Sequence, residues 1–269
     1  MSRQKQTPKY VFDNAGDQTT DRFAGLEHYF DAGTFRHLDT LGVAPGWRCL
    51  EIGGGSGSVA RWLSERVGAQ GQVVVTDINT RFLTHLSAPN IEVREHDIVN
   101  DDLEQDHYDL AHTRLVLVHI PERERAIDRI IRALRPGGLI LFEEFDVLSM
   151  TPDPQISPSE TMLKTITVLW RVMRESGVDQ RHGRLLAGIL DGKGMQDVAA
   201  EGRVFRIKGG SPWAHVLRAN CEQMHDKIIA SGDLTEDEFQ ADIQSLDDPK
   251  FVMMTAVMWA VSARRPQAR

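Results

Sequence analysis

The residues whose types and spacing could do chemistry are Glu51, a run of glycines at 53, 54, 55 and 57, and Asp77. They lie in Trp-Arg-Cys-Leu-Glu-Ile-Gly-Gly-Gly-Ser-Gly-Ser-Val-Ala (47–60), with Asp77 closing the next apolar run. Glycines without side-chain bulk let a backbone turn touch a ligand directly. A carboxylate about one β-α-β step further on can accept both ribose hydroxyls. The elements that must position these groups are legible beside them. Cys49, Leu50 and Ile52 read as a short apolar strand, and Val59, Leu63 and Val67 recur at helical spacing until Gly68. Strand, glycine turn, helix and acid together predict a nucleoside-binding crevice.

Two cofactor chemistries share that crevice. Gly55-x-Gly57-x-x-Ala60 satisfies a dinucleotide fingerprint, whereas the frame beginning at Gly53 fails because Ser58 holds its third position. Glu51 discriminates. A pyrophosphate on a helix N-terminus needs donors there, and a carboxylate repels it. S-adenosylmethionine carries an ammonium and a sulfonium and no phosphate, so an adjacent carboxylate suits it.

A longer series of motifs supports this choice. Leu-Glu-Ile-Gly-Gly-Gly-Ser-Gly (50–57), Thr-Asp (76–77), Glu-His-Asp-Ile (95–98), Tyr-Asp-Leu-Ala (108–111) and Leu-Arg-Pro-Gly-Gly-Leu-Ile-Leu (134–141) occur in order. Over roughly residues 45 to 146 the chain resembles the class I S-adenosylmethionine-dependent methyltransferases. The resemblance implies an α/β fold: a doubly wound, seven-stranded Rossmann-like sheet with its last strand antiparallel. It implies that Glu51, Gly53, Gly55 and Gly57 hold the methionine part of the cofactor. It puts Asp77, followed by Ile78, on the ribose, Asp97 on the adenine amino group and Ile98 beside the adenine. Arg114 follows the fourth strand, where the family lines its methyl-transfer site. No catalytic role carries over, because the family varies its bases freely.

Residues 1–45 are expected to form a helical cover, with Tyr10 and Tyr29 the aromatic residues best suited to meet the cofactor. Residues 46–150 alternate strand and helix, as a cofactor-binding core requires, with strands near 47–52, 72–76, 91–94, 107–112 and 139–145. The fourth helix is expected to start at Pro121, to bury Ile127, Ile130, Ile131 and Leu134, and to end at Pro136-Gly137-Gly138. Residues 151–269 are expected to complete the sheet and carry helical substrate-lid insertions. Prolines interrupt 150–158. Met162, Ile166, Leu169 and Met173 share a helical face, and a second helix is read over about 183–200. Residues 202–208 alternate like a strand, 213–245 read as helices, and Phe251–Val261 as the final strand.

Composition bounds the function classes. The net charge of −8 disfavours nucleic acid, whose phosphates require a basic surface. No apolar run is long enough to span a bilayer, and the N-terminus lacks the apolar segment of a signal peptide. Cys49 and Cys221 have no metal spacing and argue for a reducing cytoplasm. His107, His112 and His119 also lack metal spacing, so no metal is expected. A homodimer is expected only because symmetric oligomers are common among soluble enzymes.

Methyl transfer from a sulfonium is an in-line displacement, and the protein must align the partners and exclude water. Beyond the carboxyl ends of strands four and five lie His112, Arg114, His119, Glu143, Glu144 and Asp146. His119 is the candidate general base, since imidazole titrates near neutrality; its competing role is to cap the following helix. Glu144 and Asp146 are the candidate carboxylates for a cationic or protonated acceptor, and each could equally pin a loop. Arg114 could orient a ligand or pair with Asp109 or Glu144. The methionine stripe suits an adaptable apolar pocket, and with it a small apolar or aromatic metabolite of natural-product type, methylated on O, N or C. The motif for methylating DNA amino groups is replaced by His-Thr-Arg-Leu-Val (112–116), and a Pro-Cys nucleophile is absent. Two other readings stand beside this one. A nicotinamide-dependent oxidoreductase is the first, although no Tyr-x-x-x-Lys occurs; a protein that binds the cofactor without transferring methyl is the second.

Overall fold

The computed structural model describes residues 18–150, 153, 155 and 160–267. The strands are β1 (Arg48–Ile52), β2 (Gln72–Asp77), β3 (Ile91–Glu95), β4 (Tyr108–Arg114), β5 (Leu134–Asp146), β6 (Gln196–Arg203), β7 (Arg206–Lys208), β8 (Val252–Met254) and β9 (Val257–Arg264). The helices are α1 (Gln18–Thr40), α2 (Ser58–Val67), α3 (Arg123–Ala133), α4 (Glu160–Glu175), α5 (His182–Gly192), α6 (Pro212–Gln223), α7 (His225–Ala230) and α8 (Glu236–Ser245).

Seven strands form one sheet in the order β3-β2-β1-β4-β5-β9-β6. β1 to β5 pair in parallel, and β9 is antiparallel to both β5 and β6. The expected doubly wound sheet with its last strand antiparallel is therefore the observed fold. β1 and β2 are apolar and almost wholly buried because helices cover both faces of the sheet. Leu63 and Val67 of α2 pack one face with Leu38 of α1, against Leu110 and Leu141. Ile127 and Ile130 of α3 and Leu186 and Leu190 of α5 pack the other, against Phe142. A third cluster joins α4, α6 and α8 through Leu169, Met173, Leu217 and Phe239, with Phe30 of α1 reaching into it. The chain leaves β1 towards β2 on one side and β4 continues on the other. That reversal opens a crevice at their carboxyl ends, where open α/β sheets bind ligands.

Five boundaries differ from the sequence expectation. The alternating run 202–208 belongs to two sheets: β6 ends at Arg203, and β7 pairs with β8 in a separate two-stranded ribbon. The bend between them is held by Thr255, whose amide donates to Phe205 O at 2.9 Å and whose hydroxyl accepts from Phe205 N at 3.0 Å. Alternation alone does not reveal such a change of partner. For the same reason the expected final strand, 251–261, divides into β8 and β9. The helix read over 183–200 stops at Gly192, and Gly194, at φ +75°, turns the chain into β6. α3 starts at Arg123, after a separate 3-10 turn over Leu117–His119. Pro136-Gly137-Gly138 sits within β5, where the pairing with β4 shifts register between Tyr108 and Leu110. Among the described residues no helix is long and apolar enough to cross a membrane.

Candidate active site

A cavity of about 580 Å³ opens where β1, β2 and β4 end. The glycine turn forms its floor. Gly53 has φ +72°, which favours glycine, and a Cβ there would strike the Val116 side chain. The amides of Gly53 and Gly54 both donate to Thr76 O, at 2.7 and 3.1 Å, which pins the turn to β2. On the other side, Phe23 of α1 lies 3.5 Å from where a Gly55 Cβ would be.

The acidic residues line this same end. Asp77 accepts from Asn79 N at 2.9 Å and Gly55 N at 3.3 Å, yet burial outweighs those bonds and raises its pKa. A carboxylate so short of solvent gains from further donors, which a vicinal diol supplies. Ile78, 44% exposed, lies at the cavity edge beside it. Asp97 caps its own turn by accepting from Val99 N at 2.9 Å and Asn100 Nδ2 at 2.7 Å, and Ile98 is buried next to it. Glu51, 3% exposed, has one oxygen 2.6 Å from His112 Nδ1. Arg114 pairs with Asp31 of α1 at 2.8 Å and donates to Thr34 at 2.9 Å, so its partner is neither Asp109 nor Glu144.

The structure brings Glu51, Gly53, Gly55, Asp77, Ile78, Asp97, Ile98, Arg114 and His119 to one cavity. The remaining expected residues are elsewhere. Gly57, at φ +82°, starts α2 and abuts Leu86. Tyr29 packs edge-on against Phe205 and Trp213, outside the lining. Tyr10 is outside the described residues. Glu144 does not line the cavity: it accepts from Leu117 N at 2.7 Å and Val116 N at 3.1 Å, pinning the loop after β4. Burial raises it to about 8 despite those bonds. Asp146 is held by Arg184 Nε at 2.6 Å and is likewise off the lining. His119 does line the cavity, but burial, with Arg22 and Arg123 nearby, lowers it to about 3. Its ring is neutral at physiological pH and a weak proton acceptor.

At the other end of the cavity, sequence reasoning reached only Met173, through the methionine stripe. Phe145, Met150, Trp170, Met173, Trp213 and Leu217 line that end, from β5 and the later helices. Arg22 and Phe23 enter from α1. The i, i+3, i+7 spacing of Phe23, Leu26 and Phe30 was the available signal for the inward face of α1. The aromatic at the glycine turn is thus Phe23, one helical face away from Tyr29.

Comparisons with known proteins give the family. The profile of a family described as a methyltransferase domain matches residues 18–188. The chain belongs to that family, within the class I S-adenosylmethionine-dependent methyltransferases, and its cofactor is S-adenosylmethionine. It is 34% identical over 114 residues to a ubiquinone/menaquinone biosynthesis C-methyltransferase UbiE of Laribacter hongkongensis, covering 40% of this chain and 47% of that protein. The chain thus spans about half the length of the curated relatives it matches. In fold it is similar to phosphoethanolamine N-methyltransferase 2 of Haemonchus contortus, with TM-score 0.58 and 17% identity over 97% of this chain and 61% of that one. It is also similar to the YcgJ protein of Bacillus subtilis, with TM-score 0.59 and 13% identity over 88% of this chain and 100% of that one.

Proposed function

We propose that the protein transfers a methyl group from S-adenosylmethionine to a small, apolar or aromatic metabolite. One observation carries this reading: a single cavity has all its carboxylates, Glu51, Asp77 and Asp97, at the strand ends, while Phe145, Met150, Trp170, Met173 and Trp213 form an apolar wall away from them, with His119, Ser176, Asn220 and Lys227 as polar neighbours. The residues fit the cofactor on their own chemistry. The side-chain-free turn leaves room for a backbone-hugging ligand, and the raised pKa of Asp77 marks a carboxylate that hydroxyl donors would satisfy. In this reading Glu51 with the glycine turn holds the amino-acid portion, Asp77 with Ile78 the ribose, and Asp97 with Ile98 the adenine. When bound, the cofactor supplies an electrophilic methyl group on a sulfonium.

The chain's own contribution is then binding, alignment and exclusion of water. The aromatic and methionine walls desolvate the acceptor and fix its body, and alignment of this kind can be worth roughly 7–11 kcal/mol of barrier. Neutral His119 orients the acceptor by a hydrogen bond, replacing the general-base role expected from sequence. With Glu144 and Asp146 engaged elsewhere, we assign no proton-accepting residue to the cavity. The acceptor accordingly enters as a ready nucleophile: a phenolate, an unprotonated amine or an electron-rich ring carbon. The C-methyltransferase name carried by the quinone-biosynthesis relatives supports the aromatic choice. A cytoplasmic enzyme with no nucleic-acid partner fits the acidic chain and its two buried free thiols, and a homodimer remains our working assembly.

Purified protein incubated with S-adenosylmethionine and a panel of naphthols, alkylphenols and aromatic amines should yield products heavier by one methyl, with stoichiometric S-adenosylhomocysteine. Tight retention of a nicotinamide dinucleotide, with no S-adenosylmethionine binding, would overturn the reading.

A further inference from the structure

His112 is fully buried, with Nδ1 2.6 Å from Glu51 Oε2 and Nε2 3.1 Å from Glu143 Oε2. A ring with a carboxylate on each nitrogen satisfies both only by donating from both, as the imidazolium. Burial opposes that charge, but the two carboxylates outweigh it and push His112 up to about 9. Burial likewise opposes ionisation of Glu143, while His112, Arg114 and Thr34 pull its pKa down. The chain of contacts continues beyond the sheet. The Thr34 hydroxyl bonds Glu143 at 2.5 Å, Arg114 donates to Thr34 at 2.9 Å, and Arg114 pairs with Asp31 at 2.8 Å. Glu51 lines the cavity, whereas His112 and Glu143 do not.

We propose that His112 is a positioning residue: clamped between Glu51 and Glu143, it fixes the carboxylate presented to the cationic end of the cofactor and ties it to helix α1. This rests on the cofactor placement proposed above. Three carboxylates, Glu51, Glu143 and Asp31, stand against two cations, His112 and Arg114, which leaves the linked cluster one net negative charge. Glu27 and His37 also face it from α1, with Arg61 of α2 acting on Glu27; burial raises Glu27 and lowers His37. S-adenosylmethionine carries one more positive charge than S-adenosylhomocysteine, the sulfonium having become a thioether. The cluster therefore favours the methyl donor over its product, and Glu143 contributes to that preference without reaching the cavity.

Two measurements on the whole chain test this. Nitrogen-15 NMR of the ligand-free protein at pH 7.5 should show His112 protonated on both ring nitrogens. Calorimetry should show that Glu143→Gln, a neutral isostere, weakens S-adenosylmethionine about tenfold, some 1.4 kcal/mol, and S-adenosylhomocysteine much less. Thr34→Val, milder in its demands on folding, should move the ratio of the two affinities in the same direction. A neutral His112 ring, or equal effects on both ligands from Glu143→Gln and Thr34→Val, would overturn the proposal. If wild-type protein bound neither ligand, the cofactor placement would fall, and this proposal with it, even with the doubly protonated ring observed.

Discussion

The two ends of the cavity are built on opposite plans. At the strand ends, acidic and glycine residues come from consecutive β-α units and are held by short, local hydrogen bonds such as Asp77 to Asn79 and Asp97 to Val99. At the far end, apolar side chains from β5, α4 and α6 form most of the wall, and Asn220 and Lys227 join them without a carboxylate. The first plan suits a ligand whose polar groups are always the same. The second suits a partner recognised by shape and apolar surface, because apolar contact is non-directional and readily re-specified. The contrast predicts that substitutions at the strand ends act on the cofactor and substitutions at the far end act on the acceptor.

The strongest way to break that division is Gly53→Ala. The positive φ and the overlap with Val116 together should cost about 2–4 kcal/mol of stability and abolish measurable cofactor binding. Unchanged calorimetric affinity in a folded variant would show that the turn does not touch the ligand. Asp77→Ala should weaken the cofactor by ~1–3 kcal/mol through lost ribose bonds, with acceptor KM little changed at saturating cofactor. Trp170→Ala should do the reverse, raising the KM of an aromatic acceptor about tenfold while leaving cofactor affinity within about twofold. Equal damage to both ligands from either variant would dissolve the comparison.

The same contrast explains what the sequence made legible. The end we assign to the cofactor is written in contiguous signals, so Glu51, Gly53, Gly55, Asp77 and Asp97 stand out as a group before any fold is known. The far end is assembled from Trp170, Trp213 and α1 residues far apart in the chain, and no local spacing joins them. On β5 the limit was parity. Sequence reached Glu143, Glu144 and Asp146 as strand-end acids, but successive side chains alternate faces. Glu143 and Phe145 fall on the side facing Thr34 and Phe30 of α1, while Glu144 turns to the loop amides. The sequence places His119 beyond the fourth strand, yet the burial and neighbouring arginines that keep it neutral are tertiary facts.

The smallest expected effect concerns Glu144, outside both ends. Below its ordinary value of 4.5 it is protonated whether the chain is folded or not. Between there and about 8 the unfolded chain ionises while the folded one holds its proton, so this group makes stability fall as pH rises through that window. Glu144→Gln mimics the protonated acid and should flatten the decline of denaturation midpoint between pH 5 and 8 without altering either ligand's affinity. An unchanged slope would show that the carboxyl ionises freely in the fold.

A crystal structure with S-adenosylhomocysteine bound tests the division of the cavity most directly. The ribose should lie on Asp77 and the adenine beside Ile98, with the sulfur directed towards Phe145, Trp170 and Trp213. A ribose away from Asp77, or a sulfur turned from the apolar wall, would contradict the account.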